Sequence, residues 1–347
     1  MDDSQTSKKF DLAATVQDIL NTIERERERE IIARRFGLFD RRETLEQIGE
    51  LLGITRERVR QLEKAVLTRL KSTAEKDLVH INDVEKILGE ELAGMGKVAR
   101  ISEVTAKIVP ANAKVDQSRV AFIAQLAPSV AVIDDNDHFY HAIGLAADHT
   151  EKAIRDQVNA IIEAIQQIGK PTDIATVAKQ IGDEDKQHVE ALAGISKNLA
   201  TLNDRWGLIK WPMVNPKNIR DKIYVILHDH GKPMHFSEIA KAIKDSDFRR
   251  KDVTTQAIHN ELIKDKRFVL IGRGIYALKE WGYKKGTVAD VIAEVLRKEG
   301  GPLHRDEIVR RVLKSRHVKE TTILLNLQGK PQFKRVAKAT YTLAEPK

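Results

Sequence analysis

Thr44-Leu45-Glu46-Gln47-Ile48-Gly49-Glu50-Leu51-Leu52-Gly53-Ile54-Thr55-Arg56-Glu57-Arg58-Val59-Arg60-Gln61-Leu62 is the stretch on which the reading of this chain turns. A helix is expected to start after Thr44, whose hydroxyl caps it while Gln47 reaches back as a capping box. Leu45, Ile48 and Leu52 recur at helical spacing and face inward. Gly53 supplies the turn, and Thr55 caps the next helix. There Val59, Leu62, Val66 and Leu70 form an apolar stripe, leaving Arg56, Glu57, Arg60, Gln61 and Lys64 on other faces. That division suits a recognition helix. Long donors near a helix N-terminus reach major-groove base edges, where Arg grips guanine and Gln grips adenine at two atoms each. An ordinary charged surface helix would show a similar division.

Working outward, Ile31, Ile32 and Phe36 precede Gly37, a natural left-handed helix stop. The acid-base alternation from Glu24 to Glu30 places opposite charges at i,i+3 and like charges at i,i+4. It reads as a solvated helix face.

The ordered run Arg34-Arg35-Phe36-Gly37-Leu38, Thr44 to Gly49 and Gly53 to Glu63 closely resembles region four of the primary sigma factors. In that family this helix-turn-helix reads the −35 promoter element and packs on the β flap of RNA polymerase. The resemblance implies base and backbone contacts for Arg56, Glu57, Arg60 and Gln61, with Thr44 and Thr55 as caps. It covers only about fifty residues. Complete sigma factors carry upstream helices whose aromatic side chains capture unpaired bases. Here Phe10 is the sole aromatic before Glu24, so the chain is expected not to melt a promoter alone. Arg41-Arg42 departs from the family, occupying a loop where many members carry acidic, Gly-rich or Pro-rich residues.

Downstream, one pattern recurs about four times at a spacing of roughly 60 to 75 residues. Each copy opens on an amphipathic helix that runs into Gly96-Lys97, Gly169-Lys170-Pro171, Gly231-Lys232-Pro233 or Gly300-Gly301-Pro302. Two further helices follow, and the copy closes on strand-like residues: 130–140, 205–211, 268–278 and 333–343. Three helices closed by a hairpin is the winged-helix plan. The expected class is therefore mainly α: a helix-turn-helix followed by about four tandem winged-helix (α+β) units. The expected boundaries are an N-terminal segment 1–23, the helix-turn-helix 24–74, and winged helices 78–147, 150–214, 218–283 and 285–345. The last two resemble the HARE type of winged helix, found in the delta subunit of some bacterial RNA polymerases. Ile219-Arg220-Asp221-Lys222-Ile223, Gly231 to Phe236 and Gly272 to Leu278 carry that likeness, with Gly301-Pro302-Leu303-His304 and Thr340-Tyr341-Thr342-Leu343 in the fourth copy. The third helix of the third copy, Thr254 to Lys266, mixes Gln256, His259, Asn260 and Lys264 and suits a DNA or a protein partner.

Across 347 residues the formal net charge is +8, which favours encounters with a polyanion. Hydrophobic residues at 41% supply enough apolar material for folded cores. With no cysteine, disulfides, thiolate nucleophiles and cysteine-ligated zinc are excluded. No apolar run is long enough to span a membrane and no secretory leader opens the chain, so a cytoplasmic protein is expected. Asp134-Asp135-Asn136-Asp137 lacks the ligand spacing of a calcium loop and reads as a polar hairpin tip. His228, His230 and His235 read as structural or surface residues, so no metal is assigned. Gly272-Arg273-Gly274 lacks the strand-to-helix context of a dinucleotide site; it reads as a wing from which Arg273 touches a phosphate. No nucleophile-base constellation stands out, so neither an enzyme nor a cofactor is expected. The expectation is a transcription factor whose partners are double-stranded DNA and the RNA polymerase β flap, with no membrane. Its rivals are a polymerase-associated interaction protein and an accessory subunit of a nucleic-acid-modifying enzyme.

Overall fold

A computed structural model describes residues 11–76, 78–147, 150–283, 286–316 and 318–344; Phe10 lies outside them. The chain is mainly helical and divides into two compact units, Met1–Lys210 and Trp211–Lys347.

The first unit opens with α1 (Leu12–Asn21), α2 (Glu26–Phe36), α3 (Leu45–Leu52) and α4 (Arg56–Ala74). Asp11 caps α1 by accepting from the Ala13 and Ala14 amides. Gly37 ends α2 at φ 67°, and a side chain there would meet the Arg42 backbone nitrogen at 2.7 Å. The loop after α2 therefore folds back on glycine. α3 and α4 meet through Ile48 and Val59, both fully buried with Ile31 and flanked by Leu45, Leu52, Ile54 and Leu62.

Next come α5 (Ile81–Gly94), β1 (Val98–Arg100), α6 (Ile101–Ile108), α7 (Lys114–Leu126), β2 (Val130–Ile133) and β3 (Ala142–Leu145). The antiparallel sheet runs β1-β3-β2. One apolar cluster joins Leu12, Val16 and Ile19 of α1 and Ile32 of α2 to Val66 and Leu70 of α4, Phe122 of α7 and Ile143 of β3. Phe36 sits edge-on to Phe122 with ring centroids 5.1 Å apart. The opening helices thus share a core with the sheet that follows.

The succession then recurs as α8 (Glu151–Ile168), α9 (Ile174–Ile181), α10 (Lys186–Gly194), β4 (Leu199–Leu202) and β5 (Arg205–Leu208), with Thr172 bridging Trp206 where the earlier copy has a strand. The second unit holds two further copies. One is α11 (Ile219–His230), β6 (Met234–His235), α12 (Phe236–Asp245), α13 (Thr255–Lys264), β7 (Phe268–Gly272) and β8 (Ile275–Leu278), in sheet order β6-β8-β7. The other is α14 (Val288–Glu299), β9 (Leu303–His304), α15 (Arg305–Leu313), α16 (Glu320–Gly329), β10 (Phe333–Ala337) and β11 (Thr340–Leu343), in order β10-β11-β9.

Two closing hairpins differ from their expected positions. In the first copy the returning strand begins only at Ala142. The Asn136 side chain accepts from the His138 and Phe139 amides, turning the chain so that Phe139 bridges Ser196. In the second copy the stretch 205–211 holds one strand, and its partner β4 lies upstream. Asn203 and Asp204, both at positive φ, make the tight turn between them, a hairpin signal of the Asn/Asp type. Among the described residues no helix is long and apolar enough to cross a membrane.

Candidate nucleic-acid interface

The two threonine caps stand where the sequence places them. Thr44 accepts from the Gln47 amide at 3.2 Å, and Gln47 returns the bond to the Thr44 amide at 2.9 Å. Thr55 accepts from the Arg58 amide at 3.2 Å. These bonds satisfy otherwise orphaned amides and set where each helix begins. The turn is tight enough to demand Gly49, since a Cβ there would sit 2.7 Å from the Ile54 carbonyl oxygen.

With Val59 and Val66 turned inward, Arg56, Glu57, Arg60, Gln61 and Lys64 are all exposed on α4. Four of them lie in its first two turns, the end that a recognition helix inserts in the groove. Arg56, Glu57, Arg60 and Gln61 are all internally paired. Arg56 meets Glu46 of α3 at 3.2 Å, and Arg60 clasps Glu57 through two bonds of 2.7 and 2.8 Å. Gln61 donates to Glu57 at 3.4 Å and accepts from Arg58 at 3.3 Å. The Arg60 guanidinium holds the Glu57 carboxyl below its usual range, and Glu57 raises Arg60 in return. Exposed pairs of this kind are weak and screened by salt, so a phosphate or a base edge can replace the carboxylate partner.

The charged run Glu24 to Glu30, which leads into α2, is the expected solvated face only in its first half, where Glu24 to Arg27 are exposed. Glu28 is buried, with 5% of its surface exposed, and pairs with Arg69 of α4 and with Arg25. Arg35 reaches Glu63 of α4 at 3.3 Å, and Arg34 holds Glu30 and Glu43 at 2.9 Å each. The Glu28–Arg69 and Arg35–Glu63 pairs brace α4 against α2. The partners in these two pairs lie 41 and 28 residues apart, so local spacing could not reveal them.

Arg273 is exposed in the turn between β7 and β8, apart in sequence from the α4 cluster. His235 caps α12 by accepting from the Ser237 amide, and Asp135 and the Asn136 carbonyl hold Lys197 at 2.8 and 2.7 Å. Among the described residues no group of three or more His, Asp or Glu is arranged to hold a metal ion.

Comparison with known proteins agrees with this geometry. The chain is 45% identical over 64 residues to the RNA polymerase sigma factor RpoD of Helicobacter pylori, covering 18% of this chain and 9% of that protein. It is 44% identical over 61 residues to the RNA polymerase sigma factor SigA of a Bacillus species, covering 17% of this chain and 16% of that protein. The chain thus spans a small part of the relatives it matches. Residues 25–72, from the start of α2 to near the end of α4, match the family model of sigma-70, region 4.

Proposed function

We propose that this protein binds double-stranded DNA at promoters through α3 and α4, and that its action is binding rather than catalysis. The observation that carries the reading is the capped, solvent-facing N-terminal half of α4, which presents Arg56, Glu57, Arg60, Gln61 and Lys64 within the matched segment. In this reading each recurring succession of helices closed by a hairpin is a winged helix, the last two of HARE type. Support comes from the sheets in which the short first strand lies beside the returning strand of the hairpin. The wing turn with Arg273 then adds a phosphate contact.

A second reading assigns the fourth copy to a protein partner such as RNA polymerase. Between Glu320 and Gly329 helix α16 carries no Lys, Arg or His, and its Leu325 is 68% exposed. That surface suits protein better than phosphate. Genome-wide mapping of DNA bound by the full chain tests the main reading. Peaks centred on promoters are expected, and an absence of enriched sites would overturn it.

A further inference from the structure

The first unit contains a cleft of about 530 Å³, within the range of small-molecule sites. One wall comes from the matched segment, through Arg35, Arg42 and Glu63; the other comes from beyond it, through Lys114 of α7 and the stretch from Asp134 to His141. Arg35 is already paired with Glu63. Arg42 forms no ion pair among the described residues, and its Nε donates to the Arg35 carbonyl at 3.1 Å. Desolvation, together with the neighbouring Arg35 charge, pushes the Arg42 guanidinium below its usual range. A cation so placed gains from an oxyanion. Burial likewise lowers His141.

The other lining groups narrow the ligand. Asp134 and Asp135 are carboxylates that only accept hydrogen bonds, and they repel a bare anion. They suit a molecule whose hydroxyl or amino groups donate to them while its phosphate meets Arg42 and Lys114. We propose that this cleft binds a small phosphorylated molecule that also carries hydrogen-bond donors, the chemistry of a nucleotide, with Arg42 and Lys114 as its phosphate-binding residues. The cleft borders α4 through Glu63 and joins the helix-turn-helix to the sheet that follows.

Titration calorimetry of the full chain with ATP, AMP and sodium phosphate tests the assignment. One saturable site per chain is expected for a nucleotide, with sodium phosphate at least about tenfold weaker. Arg42→Gln and Lys114→Gln should each weaken the nucleotide about tenfold or more while the free protein stays folded. Ligand should raise the Tm of the wild type and not that of Arg42→Gln. No saturable heat up to about 10 mM nucleotide would overturn the proposal, as would variants that bind as well as the wild type. A third outcome also overturns it. If no nucleotide binds and Arg42→Gln makes the salt dependence of duplex binding shallower by about one unit, the phosphate in the cleft belongs to the DNA backbone.

Discussion

Arg56 and Arg60 reach solvent already paired with carboxylates of their own motif. Any DNA contact is therefore an exchange of partners, and its net gain depends on how well the base or phosphate replaces Glu46 or Glu57. The expected outcome for an Arg56→Ala, Arg60→Ala double variant is a loss of about tenfold to several hundredfold at a selected site, with Tm unchanged. Equal loss on all sequences would assign both arginines to phosphate; retained preference would place recognition elsewhere. Gly49 makes a sharper test of the turn. Alanine there would gain up to about 1 kcal/mol of helix propensity. Its Cβ, however, would press on the backbone oxygen of Ile54 at 2.7 Å. Overpacking of this kind costs about 1–3 kcal/mol, so Gly49→Ala should destabilise, checked by denaturant unfolding. Arg56, Arg60 and the threonine caps were legible in the sequence because caps and turns are local, whereas the close approach that demands Gly49 was not. The burial of Glu28 and the cleft around Arg42 were not, since their neighbours come from α4 and from the β2–β3 connection.

At the scale of the element, α4 matters for its length. Val59 in its first half closes the small cluster with Ile31 and Ile48, while Val66 and Leu70 in its second half enter the larger core with α1, α5 and α7. The exposed readers therefore stand on a helix anchored in two places. Leu70→Ala should cost about 2–5 kcal/mol in unfolding experiments, and the folded fraction should keep its preference among DNA sequences. A changed preference would mean that the second cluster tunes the reading surface directly. Hydrophobic periodicity revealed the stripe from Val59 to Leu70, but not that its two halves serve different clusters. Periodicity states which face is buried and is silent about what covers it. For the same reason the sequence located the hairpins at 268–278 and 333–343, where the turn sits between two clear strands. It misplaced the first two, where Asn136 and the Asn203-Asp204 pair direct the chain.

For the whole molecule, the net charge of +8 favours DNA without saying how many copies of the recurring fold touch it. Salt dependence counts those contacts. Each phosphate neutralised by Lys or Arg releases counterions and steepens the plot of log affinity against log salt by about 0.9. The full chain should thus bind duplex DNA with a steep negative slope. Arg273, exposed in the turn between β7 and β8, is far in sequence from α4 and braces no ion pair among the described residues. If that wing contacts the duplex, Arg273→Gln should make the slope shallower by about one unit and weaken every sequence alike. An unchanged slope would remove the third copy from the DNA interface. Leu325→Asp on α16 supplies the matching control: with no basic residue on that helix, the slope and affinity for DNA should stay as in the wild type. A change in either would bring the fourth copy onto DNA and withdraw the protein-docking reading of its exposed leucine.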